Sequence, residues 1–233
     1  MAKLGKRLKK ANQGLNPVQV YSLTDAVKEV KIHATAKFDE TIEIAMNLNL
    51  DPRKADQNIR GMVDMPSGTG KKIRVAVFAK GEKAVEAEKA GADIVGAEDL
   101  AQKIEAGEIN FDRCLATPDM MVVVGKLGKV LGPRNLMPNP KLGTVTLDIA
   151  KAVKSAKAGQ AEYRPEKCGI IHSGLAKASF SEAQIIANIK AFASAVMKAR
   201  PASVKGPFVK KISLSSTMGP SLRIDVADFS TTE

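Results

Sequence analysis

Short apolar strands alternate with helices between residues 68 and 158, and this alternation constrains the fold more than any other feature of the sequence. Strands are predicted at residues 73–78, 93–96 and 111–116. Helices are predicted at residues 82–90, 98–106, 118–131 and 148–158. Strands that alternate with helices through short loops form a parallel sheet with helices packed on it. We therefore expect a Rossmann-like parallel α/β fold in this part of the chain.

The sequence on either side of this segment has the pattern of an antiparallel sheet. Apolar and polar residues alternate from Lys37 to Leu50, which is typical of a long strand buried on one face. Residues 208–217 and 221–226 predict two more strands, joined by a Met-Gly-Pro turn. Helices are expected to begin at Thr24, as a cap, and at Ser181, where a capping-box pattern starts. The flanking sequences therefore predict an α+β fold.

The order of these patterns predicts two domains, the second inserted into the first. The outer, split α+β domain is expected to hold residues 1–67 and 159–233, and the inserted domain residues 68–158. Three glycines lie where the chain passes between them, Gly68, Gly70 and Gly159, and two parallel connections can form a hinge. A single α/β domain with extended ends is the alternative. The chain length and the change of pattern favour two domains.

The balance of charge favours a polyanionic partner. The net charge is +11 and the pI is about 9.6, an excess that folding does not require and that phosphate neutralisation exploits. Aromatic residues make up only 4% of the chain, so contact with nucleic acid must depend mainly on charge and shape. Residues 1–20 are expected to be flexible and cationic. We interpret the start, MAKLGKRLKK, as a basic arm that lies on phosphates rather than as a solubilising tail.

Several classes of site are disfavoured by the residues present. The two cysteines, Cys114 and Cys168, lie far apart, as do the two histidines, so we expect no zinc site and a reducing cytosolic compartment. The segment GTGK at residues 68–71 is no phosphate loop, because the first glycine and the final Ser or Thr of that motif are missing. No dinucleotide fingerprint and no catalytic triad pattern is present. We expect no enzyme, no cofactor and no membrane span; a small α/β enzyme is the weaker alternative.

Residues 126–145 combine many glycines and prolines with four cations. The cations are Lys126, Lys129, Arg134 and Lys141. Gly and Pro both interrupt regular structure, so the segment predicts a shaped loop that exposes backbone N–H groups between fixed charges. Such a loop suits an anionic partner, and an ordinary basic connection is the alternative.

A second candidate surface lies on the strand predicted at residues 208–217. Period-two alternation places Lys211, Ser213, Ser215 and Thr217 on one face. A face lined by hydroxyls suits contacts with phosphate and ribose 2′-OH groups, although an ordinary solvent face has the same composition. Alternation of apolar and polar residues assigns Phe38 to the buried face of its strand. Alternatively, Phe38 lies at the end of that strand, where its ring could stack on a base or ribose.

The segment MMVVVGKLGKVLGPRNLMPNPKLGTV at residues 120–145 resembles the signature of the bacterial large-subunit ribosomal protein L-one family, whose members form the mobile stalk beside the tRNA exit site. Further resembling segments, in one order along the chain, are KFDETIEIAMNLNLDPRKADQNIRG, ADIVGAEDL, FDRCLATPDMM, LAKASF and SLSSTMGPSLRID. The resemblance implies an outer domain joined to an inner one by a hinge. It also implies binding to folded large-subunit rRNA, help in releasing deacylated tRNA, and repression of translation from its own operon mRNA. A generic basic RNA-binding protein or chaperone is the alternative.

The resemblance also implies which residues contact RNA. On the outer domain these are Lys37, Phe38, Thr41, Arg164, Lys167, His172, Ser213, Thr217, Met218 and Gly219. On the inner domain a secondary contact with RNA or tRNA is expected from Lys126, Lys129, Arg134 and Lys141. The chain departs from the family pattern at Asn135, where glycine is common, and Asn tolerates the left-handed conformation. Residues 168–174 also depart from it, so the roles of Lys167 and His172 are carried over with less support.

Overall fold

The computed structural model describes residues 5–13, 15–16 and 19–230. Contacts within it divide the chain into two compact units. The split unit comprises the described residues up to Gly70 and those from Ala161 onwards, and the inner unit comprises Lys71–Gln160. These limits lie close to the predicted domain boundaries. The further interpretation of the units as hinged domains remains a proposal.

The split unit is built around a five-stranded sheet. Its elements, in chain order, are α1 Lys6–Ala11, β1 Val20–Tyr21, α2 Leu23–His33, β2 Thr41–Leu48, β3 Gly61–Asp64, β7 Gln160–Tyr163, β8 Ile170–Lys177, α8 Glu182–Lys198, β9 Val209–Ser216, β10 Ser221–Ile224 and α9 Ala227–Ser230. The sheet order is β1-β10-β9-β2-β8, with β1 parallel to β10 and the other three pairs antiparallel. β3 and β7 form a separate two-stranded sheet. The predicted antiparallel sheet is therefore confirmed.

Helices α2 and α8 cover one face of the five-stranded sheet. Alternate residues of β2, among them Ile42, Ile44 and Met46, are buried against them. The capping box that begins α8 is present: Ser181 accepts a hydrogen bond from the Gln184 backbone N–H, and the Gln184 side chain accepts one in return. The opposite face of the sheet carries polar residues such as Glu43, Ser213 and Ser215, and we call it the open face.

Three predictions for the split unit are wrong in detail. The hydroxyl that caps α2 belongs to Ser22, which accepts from the Asp25 backbone N–H at 3.2 Å, and not to Thr24 inside the first turn. β2 begins at Thr41, because residues 36–38 form bends. The predicted flexible segment 1–20 contains helix α1, whose Arg7 guanidinium donates to the Met218 carbonyl; residues 1–4, 14, 17 and 18 lie outside the described residues.

The inner unit contains a three-stranded sheet of order β5-β4-β6, and both strand pairs are parallel, as predicted. Its elements are β4 Val75–Phe78, α3 Glu82–Lys89, β5 Ile94–Gly96, α4 Glu98–Glu105, β6 Arg113–Ala116, α5 Met121–Lys126, α6 Gly128–Leu131 and α7 Ile149–Gly159. All four residues of β4 are buried, as expected of a parallel strand with helices on both faces. The helix predicted at residues 118–131 is interrupted: a 3₁₀ turn, Pro118–Met120, precedes α5, and Leu127 separates α5 from α6.

Candidate nucleic-acid interface

The turn that joins β9 to β10 is fixed to the start of β2 through Thr217. We call residues Thr217, Met218 and Gly219 the 217–219 turn. The Thr217 backbone N–H donates to the Thr41 carbonyl at 3.0 Å. The Thr217 hydroxyl accepts from the Thr41 N–H at 2.9 Å and donates to the Thr41 carbonyl at 3.2 Å. Two residues predicted to contact RNA are therefore adjacent, and the Thr217 hydroxyl keeps only one further acceptor position for a ligand.

Glu40 supports the same turn from beneath. Its side chain is 1% exposed, and its carboxylate accepts from the Met218 N–H at 2.9 Å and from the Ala36 N–H at 2.8 Å. Burial opposes the charge on Glu40, but these backbone bonds, the Ser216 side chain and the positive charge of Arg7 lower its pKa below the usual value. Sequence reasoning missed this residue. The available signal was a glutamate on the otherwise apolar face of an alternating strand.

Exposed side chains surround this fixed backbone. Phe38 is 55% exposed and Met218 is 41% exposed, and the exposed Lys37 precedes Phe38. The prediction that Phe38 lies on the buried face is wrong, because the strand begins three residues later. Gly219 leaves no room for a side chain, since an added Cβ would lie 2.4 Å from the Ser216 hydroxyl oxygen. Glycine is therefore required at this position by the packing of the turn against Ser216.

The open face carries polar residues in cross-strand rows. Ser213 pairs with Ala45, which pairs with His172 on its other side. In the next row Ser215 pairs with Glu43 and with Ser221. Lys211, Ser213, Ser215 and Thr217 are all accessible, whereas Ile212 and Leu214 between them are buried. The predicted shared face of these four residues is confirmed.

Arg164 and Lys167 form a second exposed group, away from the 217–219 turn, and exposed His172 lies opposite Ala45 in the middle of β2. Arg164 and Lys167 line a shallow cleft of about 480 Å³ with Cys168. This cleft adjoins the other end of β2, where the Leu48 N–H donates to the Gly169 carbonyl at 3.0 Å. The length of β2 is about 23 Å at about 3.3 Å per residue. The structure therefore places the predicted residues of the split unit in two groups, at opposite ends of the sheet, with Ser213 and His172 on the face between them.

The basic loop, residues 126–145, lies on the inner unit with its four cations exposed. Leu131 and Leu142 are buried beneath it, and Asn135 adopts the predicted left-handed conformation, with φ of 56°. The expectation of exposed N–H groups is wrong for several residues. The Lys141 N–H donates to the Asn139 side chain at 2.9 Å, and the Asn139 N–H donates to the Thr144 hydroxyl at 2.7 Å. These short-range bonds satisfy the backbone and leave the charges as the accessible feature.

The three predicted hinge glycines have positive φ angles, with 69° at Gly68, 69° at Gly70 and 106° at Gly159. Residues other than glycine rarely adopt this conformation. Asn188, fully buried in α8, donates to the Gly68 carbonyl at 2.8 Å and accepts from the Ser67 N–H at 3.1 Å. The chain is therefore fixed to the split unit up to Gly68.

A family model matches most of the chain. Residues 27–220 match the model of the family described as ribosomal protein L1p/L10e. The match includes β2, the inner unit with its basic loop, and the 217–219 turn. No helix in the described part of the chain is long and apolar enough to cross a membrane.

Proposed function

The chain belongs to the ribosomal protein L1p/L10e family, whose members are RNA-binding proteins of the large ribosomal subunit rather than enzymes, and from this premise we propose how it binds its RNA. The main contact with rRNA is the end of the five-stranded sheet formed by Lys37, Phe38, Thr41 and the 217–219 turn. One observation carries this proposal: buried Glu40 and the paired Thr41 and Thr217 hold the turn in a single backbone geometry. The Met218 side chain of the turn is exposed, and so is nearby Phe38.

The chemistry of this surface suits a folded RNA. The Lys37 ammonium group pairs with a phosphate, the Phe38 ring stacks on a base or ribose, and the Gly219 backbone lies against the sugar–phosphate chain. Ser213 on the open face offers a hydroxyl to a ribose 2′-OH. Arg164 and Lys167 contact the same RNA at the other end of the sheet, and His172 contacts it on the open face between the two ends. The proposed contact with RNA therefore extends well beyond the 217–219 turn.

We propose a separate role for the inner unit. Its basic loop supplies a secondary contact with RNA or with exit-site tRNA through Lys126, Lys129, Arg134 and Lys141, whose charges are all exposed. The two units are domains joined by a hinge at Gly68, Gly70 and Gly159, and movement about this hinge assists release of deacylated tRNA. These steps need no cofactor, and no covalent bond is made or broken in them.

The same surface also provides for repression of translation. An mRNA that folds like the rRNA site presents the same phosphates and riboses to the 217–219 turn. We therefore propose that the protein binds its own operon mRNA with the residues that bind rRNA, and that rRNA and mRNA compete for one surface.

Chemical footprinting on total rRNA tests the main proposal. We expect protection of one folded segment of large-subunit rRNA, and loss of that protection when Met218 is replaced by Asp. Filter-binding should show a preference for this segment over a duplex of equal length. Equal affinity for the two RNAs would instead support a generic RNA chaperone. A plot of log affinity against log salt should be steep because phosphate contacts release counterions.

A further inference from the structure

A cleft of about 630 Å³ adjoins the 217–219 turn on the open face of the sheet. The row formed by Glu43, Ser215 and Ser221 lies in its lining. The N-terminal segment supplies a further part of the lining through Leu8, Asn12, Leu15 and Asn16. We call this space the N-terminal cleft. Its volume falls within the roughly 300–1,000 Å³ that is typical of sites for small organic groups.

The negative charge of Glu43 in the N-terminal cleft indicates whether a phosphate or a base of an RNA would bind there. Glu43 is exposed, and its carboxylate makes no hydrogen bond or ion pair within the part of the chain that the structure describes. A carboxylate repels a phosphate group. It accepts hydrogen bonds from the amino and ring N–H groups of a base, as in the contact between Glu and the cytosine amino group. The cleft therefore favours a base over a phosphate.

The remaining lining of the cleft fits a base as well. The Ser215 and Ser221 hydroxyls each donate and accept, so they can pair with ring nitrogens or carbonyl groups. Leu8 and Leu15 present apolar surface, and unstacked bases insert between apolar or aromatic side chains. The lining continues to Thr217 and Gly219, so one RNA strand can contact the turn and the cleft together.

The outer wall of the cleft is positioned by the same turn. The Arg7 guanidinium in α1 donates to the Met218 carbonyl, and its charge acts on Glu40. Lys6, Lys9 and Lys10 of this helix are exposed. A base in the cleft would place its own phosphate near these cations, which agrees with a basic arm that lies on phosphates.

We propose that the N-terminal cleft binds one unpaired base of the rRNA, a base whose exocyclic amino group donates to Glu43. This inference rests on the proposed function, since the base belongs to the RNA held at the 217–219 turn. The cleft would recognise the identity of one base, whereas the other proposed contacts recognise mainly the shape and the sugar–phosphate backbone of the RNA. Uracil, which has no exocyclic amino group, is the disfavoured base.

The first test uses the full chain and a large-subunit rRNA transcript probed with dimethyl sulfate for adenine and cytosine and with kethoxal for guanine. We expect the protein to protect one unpaired base. Ser215→Leu fills the cleft, so the base should become reactive again and affinity should fall about tenfold, the lower part of the range for one base contact. Ser203→Leu, an exposed loop position outside both surfaces, should leave protection and affinity unchanged.

A second variant keeps the test independent of any folding defect in Ser215→Leu. Glu43→Gln has the same shape, and its amide donates as well as accepts. Replacing the protected base by uracil in the transcript should weaken the wild type about tenfold and Glu43→Gln no more than about twofold. Failure of the wild type to bind rRNA would remove the proposed function itself. Binding by the wild type with no protected base, or equal sensitivity of both proteins to uracil, would overturn the cleft proposal alone.

Discussion

The 217–219 turn and the basic loop are both proposed to contact RNA, yet they are built in different ways. At the turn, Thr41 and Thr217 lie 176 positions apart in the sequence. Their backbones are hydrogen-bonded to each other, and the Thr41 backbone is also bonded to the Thr217 hydroxyl. In the loop the bonds join near neighbours such as Asn139 and Lys141, and the cations extend into solvent. The turn therefore offers an RNA a pre-formed shape, whereas the loop offers charge. Shape and close backbone contact give selectivity, and charge gives attraction to any phosphate chain.

The largest effect is expected from Glu40→Gln, which disrupts the support beneath the turn. The new amide group places a donor where the carboxylate accepted from Ala36 and Met218. A buried donor left without an acceptor costs about 1–3 kcal/mol, so the free energy of unfolding should fall by that amount and rRNA affinity should fall with it. Urea unfolding and filter-binding measure the two. Glu108→Gln, exposed on the inner unit, is the control, and equal behaviour of both variants would contradict the role of Glu40.

Thr217→Val tests the shape of the turn with less effect on the fold. The valine keeps the volume but cannot form the hydroxyl bonds with Thr41, and rRNA binding should weaken by about 1–3 kcal/mol. The salt dependence of binding should stay the same, because no charge changes. Thr24→Val, which removes an exposed hydroxyl from α2, should bind like the wild type. A filter-binding titration in which Thr217→Val retains full affinity would remove Thr217 from the interface.

Acid should weaken the support of the turn through Glu40. Because the pKa of Glu40 is lowered in the fold, its stabilisation is complete above the usual value of 4.5 and is lost as the pH falls through the lowered value. The difference in unfolding free energy between the wild type and Glu40→Gln should therefore shrink as the pH falls below 4.5. Urea titrations from neutral to acidic pH measure this difference. A constant difference across the series would contradict the charged state of Glu40.

The inner unit provides an internal comparison for the acid experiment. The Asp93 carboxylate accepts from the Val75 N–H at 2.8 Å, and this bond, with the nearby charge of Lys157, lowers the pKa of Asp93. Asp93→Asn should therefore reduce the acid sensitivity of the inner unit while leaving rRNA affinity at neutral pH unchanged. Loss of rRNA binding in this variant would show that the two units do not act separately.

The smallest effect on rRNA affinity is expected from the basic loop. Lys129→Gln combined with Arg134→Gln should weaken binding almost equally for all RNA sequences, and the salt slope should fall by about one for each phosphate that the variant no longer neutralises. The rate of tRNA release should change more than rRNA affinity does. Lys198→Gln with Lys205→Gln, two exposed cations of the split unit outside the proposed surfaces, serves as a charge-matched control. A loss of selectivity between RNAs would show that the loop reads shape as well.

The elements with a regular pattern were predictable, and the contacts made across the chain were not. Alternation correctly identified Ile42 and Ile44 as core residues, and the tolerance of Asn for the left-handed region anticipated the conformation of Asn135. The same alternation wrongly placed Phe38 on the buried face. The start of β2 is set by the bends at residues 36–38, which a pattern of apolar and polar residues does not reveal. Glu40 escaped notice because its partner Met218 lies 178 positions away. Local patterns describe strands and helices, whereas a site assembled from distant segments depends on the sheet order.

That sheet order also has a consequence for synthesis of the protein. β2 lies between β8 and β9 in the sheet. The ribosome synthesises both of these strands only after the whole inner unit. The three strands of the inner unit, in contrast, follow one another in the sequence. The inner unit can therefore fold first, whereas β2 cannot pair with β8 and β9 until they have been synthesised. Since the backbone of Thr41 is bonded to Thr217, a growing chain cannot form the 217–219 turn, the proposed RNA contact, until almost all of it has been translated. If the turn is the main RNA contact, as proposed above, only chains whose translation has reached β9 and the turn after it can recognise RNA.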